Sequence, residues 1–223
     1  MSLRHIVKIP SGRPDTDEMP MVVVMHGRGA DASDLADIAP MLDGGDGFRF
    51  LFPNAPKPWE AAPGQTYGFT WFDGWPPKGT SLAESRKLLL DFIEEAATRY
   101  PTPPGKMVIA GFSQGALMAL DAGLRSEHPV AGVVAMSGGL FEEDLSHLSR
   151  RKDVPVLIVH GTGDEVVPVT AARRARHLLG EYGLQPEYHE YPMEHQLSAE
   201  SLETVREFIT RVLSSPEPLS PEP

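Results

Sequence analysis

The sequence predicts an α/β protein: a mostly parallel central sheet of about seven strands, helices on both faces, and no large separate cap domain. Three observations lead there. Continuous apolar runs (Met21 to Met25, Met107 to Ala110, Ala131 to Met136, Val154 to Val159) recur between stretches with helical spacing. Such runs mark strands buried on both faces, and strand–helix alternation implies parallel pairing. Next, Gly111-Phe112-Ser113-Gln114-Gly115 joins one of these runs to an apolar helical stretch carrying Ala116, Leu117, Ala119, Leu120 and Leu124. Finally, four predicted strand ends carry glycine, histidine or acidic motifs, at 26–31, 111–115, 161–164 and 194–195. In open α/β sheets, function gathers at the carboxyl ends of strands.

The elements follow in order. Residues 4–9 alternate weakly and read as an edge strand, and the proline- and glycine-bearing stretch 10–20 as a connection. After the strand Met21 to Met25, a helix is expected from Ser33, a good N-cap, to Leu42, then a strand from Phe48 to Phe52 closed by Pro53. Residues 53–80 hold six prolines and several glycines, which argue against regular structure over most of the stretch. They also carry Trp59, Trp71, Trp75, Tyr67, Phe69 and Phe72. A loop this long is functional or disordered, and its aromatics argue against disorder. It reads as an active-site loop, with Trp71, Phe72 and Trp75 lining a substrate pocket. Ser81 to Tyr100 has the spacing of a long amphipathic helix, ended by Pro101. A short helix is expected within 140–150. Residues 169–182 read as a basic helix whose Arg173, Arg174 and Arg176 face solvent, Tyr188 to Tyr191 as a last short strand, and the stretch through Leu213 as an amphipathic helix. No repeat or linker divides the chain, so residues 1–213 are expected to form a single domain. Residues 214–223, proline-rich and acidic, read as a disordered tail.

Composition narrows the function. A formal charge of −11 over 223 residues argues against nucleic acid and anionic membrane surfaces as partners. With no cysteine, disulfides, a thiol nucleophile and a cysteine-bound metal are all excluded. The first ten residues lack the apolar core of a signal peptide, and no run approaches a membrane span. The expected setting is the cytoplasm, without stable membrane insertion.

Strand, tight Gly-x-Ser-x-Gly turn and helix together form the nucleophile elbow of the α/β-hydrolase fold. The turn strains the serine backbone, and its glycines let strand and helix approach closely. Serine needs a base within hydrogen-bond reach, and that base needs an orienting carboxylate. In this fold the chain order is serine, acid, histidine, and Ser113, Asp164 and His195 supply it. Among the other histidines, His128, His147 and His177 lie on or beside helices, and His189 lies within the last strand. His160 ends the strand before Asp164 and is expected to hydrogen-bond within the loop that shapes this acid. Of the alternative acids, Asp153 precedes its strand and so falls at the wrong end of the sheet. Glu165 is adjacent to Asp164, but the Gly-x-Gly-Asp turn favours Asp164. An oxyanion hole needs two backbone N–H donors; Gln114, after the nucleophile, and Arg28, between Gly27 and Gly29, are the candidates. His26-Gly27-Arg28-Gly29 is no phosphate loop, because no lysine–serine pair opens the following helix.

The chain resembles the phospholipase/carboxylesterase group of α/β-hydrolases, which includes acyl-protein thioesterases and small bacterial carboxylesterases. The resemblance spans about residues 20–212 and rests on His-Gly-Arg-Gly-Ala-Asp at 26–31, Phe-Pro-Asn-Ala-Pro at 52–56, Trp-Phe-Asp at 71–73, Gly-Phe-Ser-Gln-Gly at 111–115, His-Gly-Thr-Gly-Asp-Glu-Val-Val-Pro at 160–168 and the His195 segment. It implies Ser113, Asp164 and His195 as nucleophile, acid and base, and Arg28 and Gln114 as oxyanion donors. It also implies hydrolysis of carboxylic esters or thioesters without metal or cofactor, and a homodimer. Two positions depart from the family pattern: Arg28 stands where an apolar residue is common, and Glu194 where glycine commonly precedes the histidine. Near a cleft, the Arg28 cation would favour substrates bearing negative charge, unless an acid such as Asp31 or Glu194 pairs with it.

Overall fold

The computed structural model describes residues 3–62 and 64–214. Its centre is a seven-stranded sheet built from β1 (His5–Lys8), β2 (Met21–Met25), β3 (Arg49–Pro53), β6 (Met107–Phe112), β7 (Gly132–Met136), β8 (Val156–Gly161) and β9 (Glu187–Tyr191). The order across it is β1-β3-β2-β6-β7-β8-β9. Only β1 runs antiparallel, against β3. Strand side chains alternate between two apolar layers because the pleat has period two. Val22, Val24, Val108, Ala110, Val134, Leu157 and Val159 pack under α1 (Ala32–Ala36), α2 (Ala39–Asp43) and α6 (Ala199–Ser214). Val23, Ile109, Val133 and Ile158 pack under α3 (Ser81–Arg99), α4 (Gln114–Arg125) and α5 (Val169–Glu181).

The order places the chemistry. From β2 the chain moves outward to β3 on one side, then returns to start β6 on the other. The loops after β2 and β6 therefore leave a crevice where the winding reverses, the place where open α/β sheets bind ligands. The 26–31 motif follows β2 and the elbow follows β6.

Three sequence expectations need correction. The helix expected from Ser33 to Leu42 is two short helices. Asp31, not Ser33, caps the first: its Oδ1 accepts the Ser33 N–H at 2.7 Å, and Asp34 Oδ2 reaches back to the Asp31 N–H. The break falls before Pro40, which opens α2 because proline lacks the N–H needed inside a helix. The stretch 53–80, expected to be irregular, contains an antiparallel hairpin, β4 (Lys57–Ala62) and β5 (Gln65–Thr70). Pro58 is tolerated in this two-stranded ribbon because an edge strand leaves one side unpaired. The short helix within 140–150 is a 3-10 turn, Ser146–Arg150. The basic face of α5 also has partners: Arg173 makes a two-pronged pair with Glu190 of β9, Arg174 pairs with Glu142, and Arg176 lies over the Tyr188 ring. The proline-rich tail from residue 215 lies outside the described residues.

Candidate active site

At the end of β6 the chain turns through Ser113 with φ 56° and ψ −119°, and α4 begins at the next residue. This backbone conformation is rare for a residue with a Cβ and is held by the packing around it. A Cβ on Gly111 would stand 2.1 Å from the Gly115 carbonyl oxygen, and one on Gly115 would stand 2.2 Å from that of Met25. Both glycines are therefore required by the close approach of strand, turn and helix.

Three of the predicted residues meet here. His195 Nε2 lies 2.8 Å from Ser113 Oγ, and His195 Nδ1 lies 2.7 Å from Asp164 Oδ2. The carboxylate accepts at Nδ1, so Nδ1 carries the proton and Nε2 is left to accept from the serine hydroxyl. Asp164 Oδ1 accepts the backbone N–H groups of Val166 (3.0 Å) and Val167 (2.8 Å). The Asp164 side chain is fully buried, whereas that of His195 is 17% exposed. His195 comes from the loop after β9, which folds back over β8: Gly163 N–H donates to the Met193 carbonyl, and the His195 ring packs on Phe112 at 4.9 Å. His160 lies where the sequence suggested. Its Nε2 is 2.8 Å from the Val167 carbonyl and 3.4 Å from Asp164 Oδ2, and burial holds its pKa below the ordinary histidine value. Both neighbours are acceptors, so Nε2 carries the hydrogen.

Opposite the elbow, the loop after β2 is held from several sides. Gly29 N–H donates to the Phe69 carbonyl and Phe69 N–H to the Ala30 carbonyl, both at 2.8 Å, so the free edge of β5 pairs with this loop. The fit is close enough that a Cβ on Gly68 would stand 2.3 Å from the Gly29 oxygen. His26 is buried, with Nδ1 2.6 Å from the Gly27 carbonyl and Nε2 accepting the Ala55 N–H at 3.0 Å. That arrangement requires a neutral ring, and burial lowers its pKa accordingly. Asn54 Oδ1 accepts the Ala32 N–H at 2.6 Å. The 52–56 motif thus braces the loop after β2, a role its sequence did not reveal.

The aromatic assignments divide. Trp71, expected in the pocket wall, is fully buried in the core, and its indole N–H donates to the His26 carbonyl at 2.9 Å. Phe72 is also buried, packed edge-on against Phe141 at 5.2 Å. Trp75 is 66% exposed and lies over both, 6.4 Å from Phe72 and 6.2 Å from Phe141. The Gln114 side chain accepts from Trp71 N–H (2.8 Å) and Thr70 Oγ1 (3.1 Å), and donates to the Phe72 carbonyl (2.9 Å). Arg28 is exposed, and among the described residues it makes no ion pair; Asp31 is engaged in capping α1.

No helix among the described residues is long and apolar enough to cross a membrane. A family model described as phospholipase/carboxylesterase matches residues 10–213. The chain is 29% identical over 210 residues to acyl-protein thioesterase 1 of Kluyveromyces lactis, covering 86% of this chain and 92% of that protein. It is 28% identical over 218 residues to acyl-protein thioesterase 1 of Schizosaccharomyces pombe, covering 91% and 95%. Among solved structures, esterase PE8 superposes with a TM-score of 0.78 at 27% identity, covering 95% of this chain and 99% of that one. Given the elbow, the switch-point crevice and this family match, the chain belongs to the phospholipase/carboxylesterase family.

Proposed function

We propose that the protein is a serine hydrolase that cleaves carboxylic esters of small to medium acyl chains through an acyl-enzyme intermediate. The observation that carries this is the unbroken hydrogen-bonded chain from Ser113 through His195 to Asp164 at the crevice. Ser113 Oγ attacks the acyl carbon as His195 Nε2 takes its proton. The carbonyl oxygen becomes an oxyanion facing the backbone N–H groups of Gln114 and Arg28. Gln114 opens α4, so its N–H has no helical partner and adds to the positive end of that helix. Collapse expels the alcohol, which takes the proton from His195. Water then repeats the sequence to release the acid and restore Ser113. Asp164 holds the imidazole tautomer and stabilises its charged form.

Trp75, seated on Phe72 and Phe141, is the aromatic that a bound acyl chain meets. The exposed Arg28 guanidinium gives the cleft a cation for substrates bearing an anionic group. The thioesterase relatives favour a second reading, a thioester substrate cleaved by the same residues.

Fluorophosphonate labelling, together with turnover on a chain-length series of p-nitrophenyl esters beside an acyl-CoA and a lysophospholipid, tests the assignment. Ser113→Ala should abolish labelling, and Ser113→Ala and His195→Ala should each lower kcat by about 10³-fold or more. Labelling that persists in Ser113→Ala overturns the reading. Arg28→Leu should slow anionic esters more than neutral ones; equal effects on both sink the charge-recognition role.

A further inference from the structure

We propose that Trp71 is a positioning residue that sets the spacing between the two oxyanion donors. This rests on the oxyanion reading above. The donors sit on loops that leave neighbouring strands, β2 and β6, whose last paired residues are Met25 and Gly111. The β2–β6 ladder ends at that pair; beyond it the elbow is bonded to β7, through the Ser113 N–H and the Met136 carbonyl at 2.9 Å, and the β2 loop to β5, so neither set of bonds ties one loop to the other. The bonds that hold the β2 loop to β5, Asn54 and Ala55 do not reach the elbow, whereas an oxyanion hole works only if its donors stand at fixed positions relative to each other before the reaction begins.

Trp71 bonds to both loops. Its backbone N–H donates to Gln114 Oε1 on the elbow side at 2.8 Å. Its indole N–H donates to the His26 carbonyl on the other side at 2.9 Å. The His26 carbonyl belongs to the peptide immediately before the one that carries the Arg28 N–H, and the His26 ring lies 5.7 Å from the indole. The third polar group of Trp71, its carbonyl, accepts from Ser85 Oγ of α3. Every hydrogen-bonding group of this residue is therefore used, and its side chain is fully buried. A rigid ring that is fully buried and bonded at its indole N–H fixes a distance rather than merely filling space. Trp71 touches neither the nucleophile nor the place where the acyl carbon would sit; it acts through Gln114 and His26.

Two substitutions cut the bridge at opposite ends. Trp71→Phe removes the donor to His26 and keeps most of the ring. Gln114→Met removes the grip on Trp71, together with the bonds to Thr70 and to the Phe72 carbonyl, and keeps the backbone N–H. Rates are counted per site titrated by a fluorophosphonate, so unfolded chain does not contribute. Each variant should lower kcat by about 10- to 100-fold with KM changed by less than about threefold, because a misplacement near 1 Å costs about 10²-fold. The double variant should be no slower than the slower single, since both cut one connection. Phe208→Leu, on the opposite face of the sheet, serves as a control for lost core packing and should keep its kcat. The bridge is overturned if Trp71→Phe keeps wild-type kcat, if the loss lies wholly in KM, or if the two effects multiply. A trifluoromethyl ketone, which forms an oxyanion on Ser113, separates this from the reading beneath it. If the wild-type protein binds the ketone no more tightly than the matching alcohol, the oxyanion assignment fails. If wild type prefers the ketone and Trp71→Phe keeps that preference in full, only the bridge fails.

Discussion

His26 and His160 open two motifs at the carboxyl ends of β2 and β8 in the same way: each is buried, uncharged and committed by its hydrogen bonds to one tautomer. Protonating His26 would set a second N–H against the Ala55 N–H and release the loop after β2. Protonating His160 would place a buried charge behind Asp164. Burial holds both below the ordinary histidine value, and it does the same to His147. The unfolded chain therefore takes up these protons first. Their contribution to stability is complete above about pH 6.5 and is lost as pH falls through that value, at up to about 1.4 kcal/mol per pH unit for each histidine. Carboxylates held below their usual range, such as Glu190 at about 2 beside Arg173 and Asp31 beside Ser33, act in the same direction but only at more acid pH. Thermal unfolding followed from pH 8 to 5 should show the midpoint falling below pH 6.5, and His26→Gln should flatten that slope by about one proton's worth. An unchanged slope would mean that His26 is not among the groups that titrate on unfolding. At the triad, Asp164→Asn should reduce kcat by about 10⁴-fold while leaving fluorophosphonate-accessible Ser113 in place, because an amide favours the wrong imidazole tautomer.

The hairpin β4–β5 is the element least legible in the sequence and the one closest to the β2 loop. Its three aromatics, Trp59, Tyr67 and Phe69, are visible in the sequence, but its pairing is not. Proline density hides a ribbon whose second edge is satisfied by Gly29 and Ala30, residues distant in sequence. The buried strands and the four long helices were readable because continuous apolar runs and helical periodicity directly record which faces are covered. The start of α1 is ambiguous in the sequence because Asp31 and Ser33 are both good N-caps and only the reciprocal bond from Asp34 decides between them, while the split from α2 falls before Pro40. The order Ser113, Asp164, His195 could be read because strand ends and chain order are both sequence properties. The burial of Trp71 could not be read, since an indole suits a pocket wall and a core equally well until its N–H finds a partner. Gly68→Ala tests the hairpin as a brace. A methyl group there meets the Gly29 and Ala30 backbone, so β5 must move away. Turnover should fall by about 10-fold or more while far-ultraviolet circular dichroism keeps the main-sheet signal. Wild-type turnover would show that the β2 loop holds its shape without β5.

Across the whole molecule, the two ends of the sheet divide stability from chemistry. At the end opposite the crevice, Arg49 is fully buried at the start of β3. It bonds Asp15 through carboxylate and carbonyl, the carbonyls of Asp17 and Pro101, and lies over the Tyr100 ring. One guanidinium thus fastens three distant parts of the chain, a match for its fork of donors that lysine lacks. Arg49→Met should cost about 2–4 kcal/mol in urea unfolding, with the exposed Asp15 carboxylate returning to water, and kcat should stay within about twofold. A comparable loss of kcat would mean that the two ends are coupled. The triad has the opposite logic. Ser113 and His195 are 82 residues apart, and Asp164 and His195 are 31 apart. The elbow can form while the polypeptide that carries its base has yet to be made. A nascent or refolding chain therefore holds an inert serine until the last strand and loop dock, and non-local parallel pairing is slow. The moment at which Ser113 becomes reactive is a clock for completion of the fold, readable by timed fluorophosphonate capture during refolding.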